Sequence, residues 1–386
     1  MSLTPLSEEQ REIQTLARSF AADQIAPHAA RWDREACFPV GVARRMGELG
    51  FLGMLLPERY DGLALDTTSY LLALEEIAAA DASAAVLMSV HNSLPTQMLL
   101  HFGDEEQRER LLRPMARGEM IGAFALSEPE AGSDASALRC QAVRDGDDWL
   151  LSGTKSWVTS GSFADVILVM ARTDAPGARR GSKGISAFIV TPDLPGFHVG
   201  KKEDKMGLRA SPTVQLDFDG MRVPGENLLG SEGQGFVYAM RSLDNGRLGI
   251  AAQALGIARA ALDASLDYAA ERKQFKQPIR EFQAIQFKLA DMASRIASAR
   301  ALLHATAAAK DRGESTTLHG SMSKLLASET AMYVTTEAIQ IFGGYGYVKE
   351  YPVEKYFRDA KITEIYEGTS EIQRIVIARE LYAVRG

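Results

Sequence analysis

Histidine and cysteine are the side chains most often recruited as nucleophiles and metal ligands, and in this chain neither is spaced for that work. The six histidines form no HExxH or other paired spacing; Cys37 and Cys140 are too few for a disulfide framework and lie in no CxxC pair. No metal site is expected. Gly343, Gly344 and Gly346 follow a helical pattern, and no GxGxxG joins a strand to a helix, which speaks against a Rossmann nucleotide site. Acid–base and anion-binding chemistry remain. Glu367 is followed by Gly368, a residue that allows close backbone approach to a ligand. A carboxylate in a dry pocket has its pKa raised toward working pH, which suits a general base, yet any one of the 50 acidic side chains, taken alone, is most often a solvated surface charge. Asp244 and Arg247, three apart in a helical stretch, read as a local ion pair. Arg272 carries the donor fork that suits phosphate, and Trp157 and Thr159 stand two residues apart on one side of a strand.

The elements that position these residues come in three blocks. Residues 1–118 read as helices: Ser7 and Gln10 have capping-box spacing, and Leu71, Leu74, Ile77 and Ala78 repeat at helical steps. Over 119–230 short apolar runs alternate with turn residues: Ile121 to Leu126, Trp149 to Leu151, Val166 to Met170, Ile185 to Val190 and Val214 to Phe218. Asp145, Gly146 and Asp147 form a hairpin loop before Trp149, and further loops are expected at 176–184 and 192–196. Over 231–386 the helical period returns, and Ile285, Leu289, Met292, Ile296, Ala299 and Leu303 form the seam of a packed helix. Helices, then strands, then helices is the order of an α+β protein, not of an alternating doubly wound one.

With 386 residues, 46% hydrophobic and 24% charged, the chain has room for two or three globular units. Its net charge of −7 argues against nucleic acid as the main partner. The N-terminus has Glu8, Glu9 and Glu12 where a transit peptide would avoid acids. The most apolar stretch, Tyr70 to Val90, is interrupted by Glu75, Glu76 and Asp81, which a membrane span would not accept. A cytoplasmic location with no membrane contact is expected.

Five ordered segments resemble the acyl-CoA dehydrogenase family: FALSEPEAGSD from Phe124, KSWVTSG from Lys155, ERKQF from Glu271, QIFGGYGY from Gln340, and KITEIYEGTSEIQRIVIARE from Lys361 to Glu380. The wording is most similar to the short-chain, butyryl-type members, and the resemblance runs over essentially the whole chain. It implies an N-terminal α-helical domain (1–118), a middle β domain (119–230) and a C-terminal four-helix-bundle-like α domain (231–386). It also implies FAD, an acyl-CoA substrate, electron-transferring flavoprotein as acceptor, and a homotetramer. The reaction implied is α,β-dehydrogenation of a short- to medium-chain acyl-CoA to the trans-2-enoyl-CoA. A flavin is needed because no protein side chain accepts a hydride. The alternatives are an acyl-CoA oxidase or a member specific for a branched acyl-CoA and, more distantly, a non-catalytic flavin- or acyl-CoA-binding protein.

Residue by residue, Glu367 matches the family's base, and the backbone amide at Gly368 matches the group that helps bind the thioester carbonyl. A subgroup resembling isovaleryl-CoA dehydrogenase carries its base on another helix, just before an arginine; here Gly246 stands there, which leaves Glu367 as the matched base. Ser133, Asp244 and Arg247 match substrate-contacting positions. Phe124, Leu126 and Ser127 match the lining of the flavin ring, Thr159 the hydroxyl at flavin N5, and Trp157 the wall that screens the ring. Arg272, Gln274 and Phe275 match residues that reach the FAD pyrophosphate and adenosine from a neighbouring subunit. Gln283, Gln340, Ile341, Gly343, Gly344, Thr369 and Glu371 complete the cofactor contacts. Two positions depart from the family: Glu130 and Lys276 stand where glycine is usual, which puts the loop geometry after Pro129 and after Phe275 in question. The basic residues Arg179, Arg180 and Lys183 read as a solvated loop.

Overall fold

In the computed structural model, which describes residues 5–174 and 181–383, the capping box expected at Ser7 is formed. Ser7 Oγ accepts from Gln10 N at 3.1 Å, and Gln10 Oε1 accepts from Ser7 N at 3.0 Å. These bonds satisfy two otherwise orphaned groups at the start of α1 (Glu8–Phe20). A π-helical turn leads to α2 (Ala26–Glu35), followed by α3 (Val40–Glu48). The apolar stretch from Tyr70 is cut in two, because Asp81 Oδ1 accepts from Ala84 N at 2.9 Å and starts a new helix. The two pieces are α4 (Thr67–Ala80) and α5 (Ala82–Ser93), and α6 (Pro95–Phe102) and α7 (Glu105–Ala116) follow. Helix α4 is buried almost all round, so its two carboxylates have to be paired. Glu75 meets Arg300 at 2.6 Å, and Glu76 meets Arg18 at 2.8 Å and Arg259 at 2.7 Å. No helix of the described residues is long and apolar enough to cross a membrane.

The middle block forms one sheet from β1 (Gly122–Ala125), β2 (Gln141–Asp145), β3 (Asp148–Thr159), β4 (Val166–Arg172), β5 (Ile185–Val190), β6 (Phe197–Lys202), β7 (Thr213–Val223) and β8 (Leu228–Leu229). Its order is β6-β7-β3-β2-β4-β5-β8, with β1 parallel to β4. Strands β4 and β5 are buried on both faces. One face joins a sheet interior built on Trp149, Leu151, Val169 and Phe188, and the other packs under α6 and α7. The expected hairpin joins β2 to β3, with Asp145 opposite Asp148 and Gly146 at φ 64°. Strand β3 is not regular, however. Its register against β7 slips between Lys155 and Val158, and Trp157 sits in that bulge at φ 63°. The extra residue sets Ser156 and Trp157 together opposite Gln215, so the alternation from Lys155 is interrupted while Trp157 and Thr159 stay on one side of the strand, with the buried Val158 on the other.

The third block opens with α8 (Gly235–Glu271), 37 residues and so about 55 Å long. A hairpin of β9 (Lys273–Gln274) and β10 (Gln277–Pro278) leads into α9 (Gln283–Asp311), α10 (Thr317–Phe342), α11 (Val353–Lys361) and α12 (Ser370–Ala383). Along the expected seam Met292, Ile296, Ala299 and Leu303 are buried, with Ile285 and Leu289 at its edge. Helix α8 also packs on α4, and a side chain at Gly256 would meet Glu75 O and Ala78 Cβ at 2.6 Å, so glycine is what permits that approach. One apolar core thus runs through the first and last helical blocks together.

Candidate active site

Between α11 and α12 the chain makes a turn in which Glu367 and Gly368 are both left-handed, at φ 51° and 91°. That conformation costs a non-glycine residue roughly 1–2 kcal/mol, so the surroundings must hold it. Lys324 Nζ donates to Gly368 O at 2.8 Å, and Gln373 Nε2 donates to the same oxygen at 2.9 Å and to Glu367 O at 3.3 Å. The first turn of α12 is capped by Thr369, whose Oγ1 accepts from Ile372 N at 3.3 Å, with Glu371 exposed beside it.

The turn drives the Glu367 side chain against α8. A Cβ placed on Gly246 would overlap Glu367 Oε2, far inside van der Waals contact, so the carboxylate occupies the space that this glycine leaves. The residue as a whole is half-buried, but both carboxylate oxygens are sealed from solvent and neither has a hydrogen-bond partner among the described residues. Burial pushes its pKa up to about 7, against the pull of the Lys324 ammonium and the Arg247 guanidinium. Arg247 is itself buried. Its Nη1 meets Asp244 Oδ1 at 2.7 Å and Ser321 Oγ at 3.1 Å, while its Nε is enclosed without a partner. The pair read from sequence is real, with its Arg247 end buried and its Asp244 end half-buried, and Asp244 Oδ2 is fixed by Thr317 Oγ1 at 3.0 Å. An enclosed carboxylate with no donors, near-neutral in pKa, can take up a proton in a dry space.

A second group lies on the sheet. Phe124 lies in β1, and the loop that follows the strand is tied down by Lys155, a fully buried lysine whose Nζ donates to Leu126 O at 3.0 Å and to Glu128 Oε1 at 2.7 Å. Ser156 N donates to Ser127 O at 2.9 Å. Carbonyl and N–H point opposite ways in a trans peptide, so pinning Leu126 O turns the Ser127 N–H away from Lys155. Trp157 is 61% exposed, Thr159 is half-buried and Ser133 is exposed. At Glu130 the loop needs no left-handed residue: Glu128 and Ala131 exchange backbone bonds at 3.1 Å around it, and Glu130 pairs with Arg139 at the surface.

A third group surrounds a cleft of about 930 Å³ lined by Arg272, Gln274, Ile341, Gly343 and Gly344 together with Tyr268 and Tyr345. The Arg272 guanidinium lies 5.3 Å from the Tyr345 ring centre. Gln283 and Gln340 are exposed on α9 and α10. Phe275 and Lys276 are the two loop residues of the β9–β10 hairpin, both left-handed, with Phe275 88% exposed. Lys276 therefore adopts the backbone that glycine would adopt there without strain. Arg179 and Arg180 lie outside the described residues. Lys324, Gln373, Lys155 and Glu128 were not singled out from sequence. The readable signal for Lys324 was a lone lysine among small residues, with Ser321 and Ser328 on the same face of α10.

Acyl-CoA dehydrogenase family models match the chain in three consecutive parts, the N-terminal domain over residues 7–119, the middle domain over 123–221 and the C-terminal domain over 233–382. This chain belongs to the acyl-CoA dehydrogenase family. It is 50% identical to the mitochondrial short-chain specific acyl-CoA dehydrogenase of Mus musculus over 97% of this chain and 90% of that one. It superposes on butyryl-CoA dehydrogenase from Megasphaera elsdenii with a TM-score of 0.96 and 44% identity, over 98% and 99% of the two chains. A structure described under the electron transferring flavoprotein of Acidaminococcus fermentans matches with a TM-score of 0.96 and 47% identity, over 99% of each chain. Acyl-CoA dehydrogenases are FAD-dependent oxidoreductases acting on the CH–CH bond of an acyl-CoA. The residues present fit both groups. The unpartnered Glu367 carboxylate and Arg247 Nε await a polar ligand, Trp157 offers an open aromatic face, and Arg272 faces an open cleft.

Proposed function

We propose that this acyl-CoA dehydrogenase desaturates short straight-chain acyl-CoA thioesters, with Glu367 removing the α proton. The observation that carries the assignment is the enclosed, unpartnered carboxylate seated against Gly246. Bound FAD supplies the acceptor for the β hydride, which no side chain of the protein can replace. Neither the Glu367 N–H nor the Gly368 N–H has an acceptor among the described residues, so both are free to bind the thioester carbonyl and stabilise the charge that develops on it. Arg247 and Asp244 hold the substrate's approach from α8, with Ser133 on the opposite rim. Phe124, Leu126, Ser127, Trp157 and Thr159 face the flavin ring. Arg272, Gln274, Phe275, Gln283, Gln340, Ile341, Gly343 and Gly344, with Thr369 and Glu371, take the rest of the cofactor. The exposed Phe275 hairpin serves a neighbouring subunit in a homotetramer.

Short chain length has support of two kinds. The relatives above are named for short-chain and butyryl substrates. One turn along α8 from Gly246, a side chain at Gly249 would meet Ser89 Oγ at 2.5 Å and Tyr70 OH at 3.1 Å, and Tyr366 OH bonds Gln253 Oε1 behind the carboxylate. Tyr70, Ser89, Tyr366 and Gln253 are the side chains that would limit an acyl chain past the base. Electron-transferring flavoprotein is the acceptor this reading takes, and the cytoplasm its location, in keeping with the unpaired Cys37 and Cys140. The test is anaerobic bleaching of the bound flavin by butyryl-, octanoyl-, palmitoyl- and isovaleryl-CoA. Butyryl-CoA should bleach fastest; a faster reaction with the branched thioester would overturn the substrate assignment, and rapid peroxide formation in air would point to an oxidase.

A further inference from the structure

Lys324 is fully buried on α10, a place where a lysine is expensive unless its charge is used. It makes no salt bridge within 4.0 Å among the described residues; the hydrogen bond its Nζ makes is to a backbone carbonyl, Gly368 O at 2.8 Å. That carbonyl belongs to the left-handed turn that aims the Glu367 carboxylate at Gly246. We propose that Lys324 is a positioning residue for the dehydrogenation: its ammonium clamps the Gly368 carbonyl and so presents the carboxylate and the free N–H groups of the turn to the substrate together. The inference rests on the reading of Glu367 as the base.

The geometry gives the clamp two consequences. Gln373 Nε2 shares the Gly368 carbonyl and also holds Glu367 O, so the peptide between 367 and 368 is fixed from one side and its N–H is directed to the other. Lys324 adds charge to that arrangement. Glu367, Glu364 and Glu371 of the C-terminal segment face it, with Arg247 facing it from α8. Glu367 in turn is faced by Lys324 from α10, Arg247 from α8, Tyr70 from α4 and its neighbour Tyr366. Of these only Lys324 and Arg247 oppose the effect of burial on the carboxylate, so removing Lys324 leaves one cation to keep it ionisable.

The experiment compares holoenzyme carrying Lys324→Met, Lys324→Arg and Glu367→Gln with the unaltered protein, reading three quantities. They are the pH profile of kcat/KM for butyryl-CoA, the thermal midpoint, and the affinity ratio of an enoyl-CoA thioester to an S-alkyl-CoA thioether, which has no carbonyl. In Lys324→Met the acid limb of the profile should move alkaline by about one pH unit or more, with kcat at least about tenfold lower at neutral pH. The thioester preference should shrink, and Lys324→Arg should restore the limb. If Lys324→Met fails to accumulate, Lys324→Gln, which keeps a donor and loses the charge, should show the same alkaline shift. A variant that lowers only the thermal midpoint, with the limb and the thioester preference unchanged, makes Lys324 mere glue between α10 and α12 and overturns the proposal. Full turnover by Glu367→Gln would instead remove the base assignment; loss of turnover there beside a normal pH profile in Lys324→Met would remove the positioning role alone.

Discussion

Glu367 and Gly246 share one small volume, and the site's chemistry depends on which of them fills it. In Gly246→Ala the new methyl group would overlap Glu367 Oε2, and α8 has little room to retreat because it is packed against α4, α9 and α10. The carboxylate must move instead. A displacement near 1 Å costs on the order of 100-fold in rate, so kcat for butyryl-CoA should fall about 10- to 100-fold while flavin content stays at the unaltered level. A steady-state comparison with cofactor absorbance checks both halves. At this scale the sequence names Glu367 through the match of its motif to the family, and Gly246 through what it lacks. The sequence marks Lys324 only by its small neighbours, and a lysine on a helix reads as solvent-facing until the neighbouring elements are in place.

At the scale of elements, the β9–β10 hairpin carries a strain visible in its backbone. A two-residue loop with both central residues at positive φ is the mirror-image turn that prefers Asn-Gly or Gly-Gly, and here it holds Phe275 at φ 49° and Lys276 at φ 69°. Lys276→Gly should stabilise the protein by about 1 kcal/mol, raising the thermal midpoint by about 2 °C; differential scanning calorimetry on the holoenzyme would show it, and an unchanged or lower midpoint would mean that Lys276 makes contacts worth more than the strain. The two departures from the family's glycines thus resolve differently, since Glu130 needs no left-handed backbone and Lys276 has one. Strands β4 and β5 were legible as continuous apolar runs because both their faces are buried. Strand β6 was not, since its residues are exposed or half-buried and carry no apolar run, and the bulge in β3 has no signature in KSWVTSG.

For the whole molecule, the order of helices, strands and helices was readable from changes in period. That the first and last blocks share one core was not, because periodicity shows which face of a helix is apolar and not which helix covers it. The buried carboxylates of α4 record that join. Glu75 is held by Arg300 of α9 through two bonds, at 2.6 and 3.2 Å, so Arg300→Met would leave a buried charge short of its best partner. A loss of about 3–5 kcal/mol is expected, read as an earlier denaturation midpoint; a change within error would show that Arg259 suffices for Glu75. The reaction turns on one proton transfer. Anaerobic stopped-flow bleaching of the holoenzyme by butyryl-CoA, run from the acid to the alkaline side of pH 7 on the unaltered protein and on Glu367→Gln, tests it most directly. Because the base must be ionised to act and its pKa is pushed up to about 7, the rate in the unaltered enzyme should fall on the acid side and level off on the alkaline side. Glu367→Gln should be slower by a factor on the order of 10³ or more throughout. Bleaching by Glu367→Gln at the unaltered rate, or a rate that ignores pH across that range, would contradict the account.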